Sequence, residues 1–287
     1  MSNALRLARG IFGRVALLDM DRPLVRHAHP HCHVLLKVEG ADTQFSVGER
    51  IVPLTDDSAV LINAWEPHAY AHHDGQPATI ILALYIEPSW LGAFRPNWKA
   101  SGAPDFFAVP VGSATLRIRG LTRVLAEAMV HDPGNADEHE RLLADLMIAV
   151  IERFAAWRDE PASLRLAASL VVDHRIRKAV AMMRDDPRAV NDMEGLARAV
   201  GLSRAHFFRL FEATLNVSPR VYLNVLRLER AVQAVAEGTE SFAKVSESLG
   251  FSAPAHFSRF FHDHAGSSPT AFRTVAGLRR SDYETLR

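Results

Sequence analysis

Cysteine is almost missing from this 287-residue sequence: Cys32 is the only one. A single thiol excludes an internal disulfide and every CxxC-type zinc site, and it suits a reducing cytoplasm. Long apolar runs are missing too. Ala78–Ile86 and Leu146–Ile151 are among the longest, far below the ~20 residues needed to span a bilayer. The first residues lack an apolar stretch followed by a small-residue cleavage site, so no signal peptide is read. Net charge is absent as well, with 33 Lys+Arg against 33 Asp+Glu, which argues against a polybasic nucleic-acid coat. The balance hides an asymmetry: residues 170–287 hold 17 basic side chains against 13 acidic ones. Local positive charge is what a DNA reader needs, so this pattern permits one. A cytoplasmic protein with no membrane partner is expected, and the length is enough for two domains.

What is present, conspicuously, is a repeat. Residues 196–219 read LARAVGLSRAHFFRLFEATLNVSP and residues 245–269 read VSESLGFSAPAHFSRFFHDHAGSSP. Gly201/Gly250 and Ser203/Ser252 are 49 apart. After one inserted residue His206/His256, Phe207/Phe257, Arg209/Arg259, Phe211/Phe261 and Pro219/Pro269 are 50 apart. Repeats of this kind are a fold-level signal. Each copy reads as a helix, a glycine turn and a second helix, the helix-turn-helix layout.

The rest divides by period. Residues 1–110 carry short β-rich runs at Val34–Val38, Thr43–Val47, Ala59–Ile62 and Thr79–Ile86, broken by Gly, Pro, Asp and Asn. No helical period is read there, and an all-β sandwich or barrel is expected. Residues 111–158 change to helical spacing, with Leu116, Leu121, Val124, Leu125 and Met129 in one run and Leu142–Phe154 in the next. The Asp132-Pro133-Gly134-Asn135 breaker makes them a hairpin. Residues 159–168 read as a linker. Residues 169–287 read as seven helices, including a long one from Pro219 to Glu237 capped by Ser218 and ended by Gly238. Ser203 and Ser252 are expected to cap the second helix of each repeat.

One cluster interrupts the β segment: His27, His29, His31 and His33, then His68 further on. In an extended chain alternate residues share a face, so these side chains converge unless Pro30 breaks the strand. Trp65, Tyr70, Phe45, Tyr85 and Trp90 are candidate pocket walls or simple core, and His72 and His73 read as surface.

The histidine segment resembles the cupin-type sensor domain of AraC-like proteins. The metal-binding cupin pattern is His-x-His, a Glu soon after, and a distant His. His27 and His29 match the first pair, His33 stands where the Glu would be, and Trp65-Glu66-Pro67-His68-Ala69-Tyr70 matches the distant segment. The resemblance implies a β-barrel around an effector, with His27, His29, His33, His68, Trp65 and Tyr70 lining the pocket. A four-imidazole set would suit a divalent transition metal such as Zn, Fe, Ni or Cu, the candidate cofactor. Pocket lining without metal stays open beside it. The departure at the Glu position weakens any inheritance of enzyme chemistry.

The doubled stretch resembles the AraC/XylS DNA-binding domain. The resemblance rests on Lys244-Val245, Leu249-Gly250-Phe251-Ser252, His256-Phe257-Ser258-Arg259-Phe260-Phe261, Gly266 and Ser268-Pro269. In a helix-turn-helix the N-terminal, solvent-facing residues of the second helix meet base edges. Those are Ser203, Arg204, Ala205, His206 and Arg209 in the first copy, and Pro254, Ala255, His256 and Arg259 in the second. Arg209 and Arg259 suit bidentate contacts to guanine. Leu196–Asn216 offers the richer set of donors and is expected to discriminate sequence more.

The expected fold is two-domain α+β. An N-terminal cupin-type β-barrel with two following helices precedes an all-α double helix-turn-helix domain. The expected function is a sequence-specific transcriptional regulator, an activator, controlled by a small-molecule effector or metal. Its expected partners are double-stranded DNA, a second copy of the chain through residues 111–158, and RNA polymerase. It is not expected to be an enzyme. The alternative is a cupin metalloenzyme with a helical docking domain.

Overall fold

The computed structural model describes residues 3–73, 75–103, 105–155, 173–188, 190, 192–215 and 217–276. The linker expected over 159–168 lies outside the described residues. In the N-terminal half the strands are β1 (Asn3–Gly10), β2 (Gly13–Met20), β3 (Cys32–Gly40), β4 (Thr43–Val47), β5 (Arg50–Leu54), β6 (Ser58–Ile62), β7 (His68–Ala71), β8 (Thr79–Ile86) and β9 (Val111–Ser113). One antiparallel sheet runs β1-β2-β8-β3-β6-β9 and the other β5-β4-β7.

Alternation along the strands builds two cores from one sheet. Val15 and Leu17, Val34 and Leu36, and Leu82, Leu84 and Ile86 face a layer of helices. Ala16 and Leu18, Leu35, and Ile81, Ala83 and Tyr85 face inward toward Phe45, Val47, Val52, Leu54 and Tyr70 of the smaller sheet. His33 shares the inward face with Leu35. Among the described residues the sheets stack without closing, so the expected barrel is instead an open pair of cupin-like sheets. The three-residue β9 ends one edge of the larger sheet, and helices cover β1 at the other.

Two further expectations needed correction. Residues 1–110 are not all strand: α1 (Pro88–Phe94) is followed by a 3-10 turn at Pro96–Gly102. Each starts on a proline, whose fixed φ suits a first helical turn, and their Trp90, Leu91 and Trp98 fill the helix-side core. The helical stripe after residue 111 is also rotated. In α2 (Leu116–His131) the buried residues are Ile118, Thr122, Leu125, Ala126 and Met129, while Leu116 is 79% exposed and Val124 47%. Packed antiparallel to it is α3 (Ala136–Phe154), which buries Leu142, Leu143, Leu146, Met147, Val150 and Ile151.

The C-terminal half consists of α4 (His174–Asp185), α5 (Met193–Ala199), α6 (Arg204–Leu215), α7 (Pro219–Glu237), α8 (Phe242–Ser248), α9 (Pro254–Ala265) and α10 (Pro269–Ala276). Helix α7 belongs to both repeats. Its N-terminal half puts Tyr222, Leu223 and Val225 into a core with Phe207 and Phe211. Its C-terminal half puts Leu228, Ala231, Val232 and Val235 into a second core with Phe257 and Phe261.

The two halves are joined directly. Helix α10 packs on β1, and Leu7 of that strand reaches the second repeat's core. Ala28 and Trp65 sit against the first repeat's core. The Trp65 indole stacks on Tyr222, ring centroids 4.6 Å apart and 14° from parallel. Trp65 also has φ 64°, alone among described non-glycine residues. That left-handed backbone is disfavoured for a bulky side chain. Its N–H donates to the His29 carbonyl at 2.6 Å, which together with the stack holds the conformation. Trp65→Ala should weaken the joint by the ~0.5–1.5 kcal/mol of a stacked aromatic pair. In calorimetry this should appear as a lowered or split unfolding transition, and an unchanged profile would show that the joint does not depend on this stack.

Candidate functional site

The two repeats position two reading helices. At both turns the glycine is left-handed, Gly201 with φ +75° and Gly250 with φ +78°, a geometry that a Cβ would oppose. Asp192 caps α5 by accepting from the N–H groups of Glu194 and Gly195 at 2.9 and 2.8 Å. Ser203 caps α6, its Oγ accepting from the His206 N–H at 3.4 Å. The inserted residue changes the second copy. Ala253, not Ser252, is the N-cap of α9, and it has no side-chain cap bond. The Ser252 hydroxyl instead bonds His256 Nδ1 at 2.8 Å, which fixes that ring beside the start of the helix.

Ser203, Arg204, Ala205, His206 and Arg209 are all exposed, as are Pro254, Ala255, His256 and Arg259. His206 and His256 are each the third residue of their helix, and Arg209 and Arg259 the sixth. Among the described residues neither arginine has an ion-pair partner, whereas Arg204 lies 5.2 Å from the Phe208 ring. Other cations of this half are used internally. Arg184 donates to the Tyr222 hydroxyl, and Arg227 and Arg230 donate to carbonyls around the end of α4.

On the sensor side the histidines converge from three places. His27 and His29 lie on the segment before β3. A mutual pair of backbone bonds between His27 and His68, 2.9 and 2.8 Å, ties this segment to the smaller sheet. His33 comes from β3 and His68 from β7. All four are buried, at 5, 5, 3 and 1% exposure. Their ring centroids are 4.9 Å (His27–His29), 4.4 Å (His27–His68), 5.2 Å (His29–His68), 5.3 Å (His29–His33) and 5.4 Å (His33–His68) apart. His31 points elsewhere, its Nε2 2.8 Å from the Glu87 carboxylate. Tyr70 is core, with its hydroxyl on the Met20 carbonyl. Trp65 is at the joint. His72 is half-buried and meets the Tyr70 hydroxyl, while His73 is exposed.

Burial, first of all, and the neighbouring histidines push His27 and His29 well below the usual imidazole pKa. Burial lowers His33 and His68 to about 3. All four are therefore neutral at pH 7. Because a carbonyl can only accept, Nδ1–H must be the donor in three of them: His27 to Val25 at 2.7 Å, His33 to Leu84 at 2.9 Å and His68 to Glu66 at 2.9 Å. Each leaves its lone pair on Nε2. The Nε2 atoms of His29 and His68 are buried without a hydrogen-bond partner. Ligand nitrogens of His27, His29 and His68 all lie within 4.8 Å of one another.

A cupin metal fits these residues. Histidine ligands usually donate their other ring N–H to a carbonyl or carboxylate, as His27 and His68 do here. Imidazoles sharing a metal at Zn–N distances would have ring centroids ~5 Å apart, which His27, His29 and His68 match at 4.4–5.2 Å, while His33 is not among the histidines whose ligand nitrogens converge. Beside the histidines a cavity of about 470 Å³ separates the two halves, with Arg14, His29, Tyr85 and Glu87 on one wall and Glu229 and Gln233 of α7 on the other. The Arg14 guanidinium lies 3.8 Å over the Tyr85 ring, which in turn stacks on His33 at 4.1 Å. Glu229 is exposed to the cavity, and the surrounding protein raises its carboxyl pKa.

A β-sheet sensor joined to a doubled helix-turn-helix defines a class: regulators with separate ligand-binding and DNA-binding domains. The family model for an AraC-like ligand binding domain matches residues 19–147, and one for a helix-turn-helix domain matches residues 196–274. By these two matches the chain combines an AraC-like ligand binding domain with a helix-turn-helix domain. The Msm operon regulatory protein of Streptococcus mutans is 28% identical over 131 residues, 46% of this chain and 45% of that protein. LumQ of Photobacterium leiognathi is 22% identical over 265 residues, 91% of this chain and 95% of that one. The chain spans about half the length, or less, of several curated relatives it matches. The fold is shared with apo ToxT of Vibrio cholerae, at TM-score 0.56 and 11% identity, covering 94% of this chain and 99% of that one.

Sequence reasoning passed over Glu229, Gln233, Arg14 and His264 as residues of the joint. A serine or an aspartate at the α9 cap should repair the missing bond. Ala253→Ser is expected to raise stability by ~0.5–2 kcal/mol, read from the urea midpoint, whereas Asp192→Ala should lower it by a similar amount.

Proposed function

We propose that this chain is a sequence-specific transcriptional regulator whose hold on DNA is set by what binds at the histidine-lined joint. The observation that carries this is the double duty of α7. One face of the helix organises both reading helices, while Leu228, Glu229 and Gln233 wall the cavity beside His29. A ligand that fits the joint in one arrangement better than another shifts the arrangement of the readers.

The chemistry of the donors favours a transition metal at His27, His29 and His68, whose ligand nitrogens converge, with His33, expected as a fourth ligand, packed at the edge of the set. The metal would supply the cation that these lone pairs lack. The adjoining cavity is the place for a small organic effector, with Arg14 offering a positive charge. We also propose that α2 supplies the dimer contact, since Leu116, Val124 and Val130 stay exposed on it, and that the cytoplasmic partners are double-stranded DNA and RNA polymerase, with activation as the outcome. Among the described residues no helix is long and apolar enough to cross a membrane. The relatives named as regulators count against the metalloenzyme alternative.

Selection of duplexes from a random library by the full chain tests the reading. An extended, asymmetric site should be enriched, and failure to enrich any sequence would falsify it. On the selected site Arg209→Ala and Arg259→Ala should each cost ~1–3 kcal/mol and relax one position. The larger loss of sequence preference is expected for Arg209→Ala.

A further inference from the structure

The reading helix of the second repeat touches the histidine set at its far end. His264 is the penultimate residue of α9, and its ring centroid lies 6.3 Å from that of His27. Its Nδ1–H donates to the Phe260 carbonyl at 2.8 Å, the same anchoring seen in His27, His33 and His68, so its lone pair is also on Nε2. Phe260 stacks against the ring at 4.3 Å and limits its rotation. Burial keeps it neutral. The turn that follows is seated on the sensor: a side chain at Gly266 would meet Met20 and Leu24 at 3.6–3.8 Å.

We propose that a transition metal held by His27, His29 and His68 takes His264 as a ligand from the DNA-binding domain, so that the metal site bridges the two domains. This rests on the metal reading above. The neutral, tautomer-fixed imidazole stands beside the His27 ring. Its centroid is ~1 Å farther from His27 than the ~5 Å spacing of imidazoles that share a tetrahedral metal, so ligation requires the helix end to move toward the set. Helix α9 is 12 residues long, about 18 Å at the helical rise. A metal fastened at its C-terminal end therefore acts on the same rigid rod that presents Pro254, Ala255, His256 and Arg259 at the other. Metal occupancy becomes a restraint on the second reader, without any contact between metal and DNA.

Cobalt(II) is a suitable probe, because its visible bands report the number and kind of ligands. The full-length chain should bind one Co(II). His264→Gln should weaken binding at least tenfold and change the visible spectrum, with the three sensor histidines still holding the ion. H29Q and H68Q should bind far more weakly than H264Q. The unaltered chain gives a second measurement, independent of how any variant folds. Bound metal should slow carbethoxylation of His264 at least tenfold while leaving exposed His206 unaffected. No Co(II) binding by the full-length chain, or undiminished binding in H29Q and H68Q, overturns the metal reading and this proposal with it. Equal affinity and an identical spectrum in H264Q, or a His264 modification rate indifferent to metal, overturns the bridging ligand alone.

Discussion

One helix has to satisfy two cores at once, and much of the C-terminal half follows from that. Along α7 the apolar stripe is continuous, yet Tyr222, Leu223 and Val225 belong to the first repeat and Leu228, Ala231, Val232 and Val235 to the second. The repeats therefore cannot rotate independently without opening buried apolar surface. The 19-residue helix is about 28 Å long at the helical rise, and both repeats are packed on it, so they form one body rather than two loose domains.

The sensor imposes a second constraint of a different kind. Burying neutral imidazoles costs little while each nitrogen has a partner, but His29 and His68 each keep an unpartnered Nε2. Buried polar atoms without partners are expensive. Ligand nitrogens of His27, His29 and His68 lie within 4.8 Å of one another, where a cation has much to gain. The joint puts Trp65, Glu229 and His264 around this set, so two of the unpartnered buried nitrogens among the described residues lie where the two halves meet. Coupling between effector and DNA needs no long relay in such a layout. In the proposed reading the domain interface is the coupling element.

The repeat was legible because its spacing reflects backbone geometry: left-handed glycines at 201 and 250 and phenylalanines at matching buried positions. His27, His29, His33 and His68 were legible as a motif. Other parts left no local signal. Strands β1 and β2 sit in a segment where arginines interrupt the alternation, and pairing with β8 supplies what periodicity does not show. The single inserted residue moved the α9 cap from Ser252 to Ala253, because Pro254 starts the helix one position later. Trp65 was read as pocket wall from its neighbours in sequence, but its partner is Tyr222, on a distant helix. His264 and Glu229 carry no motif at all. Only the docking of the halves brings them to the histidines.

In the proposed reading, metal at the histidine set and DNA at the reading helices are linked through the joint. Linkage is reciprocal: the factor by which metal changes DNA affinity must equal the factor by which DNA changes metal affinity. The direct measurement is calorimetric titration of the full chain with Zn(II), once alone and once saturated with its selected duplex. The account predicts two different dissociation constants, in a ratio matching the change in DNA affinity between metal-loaded and metal-free protein. Identical constants with and without DNA would contradict it.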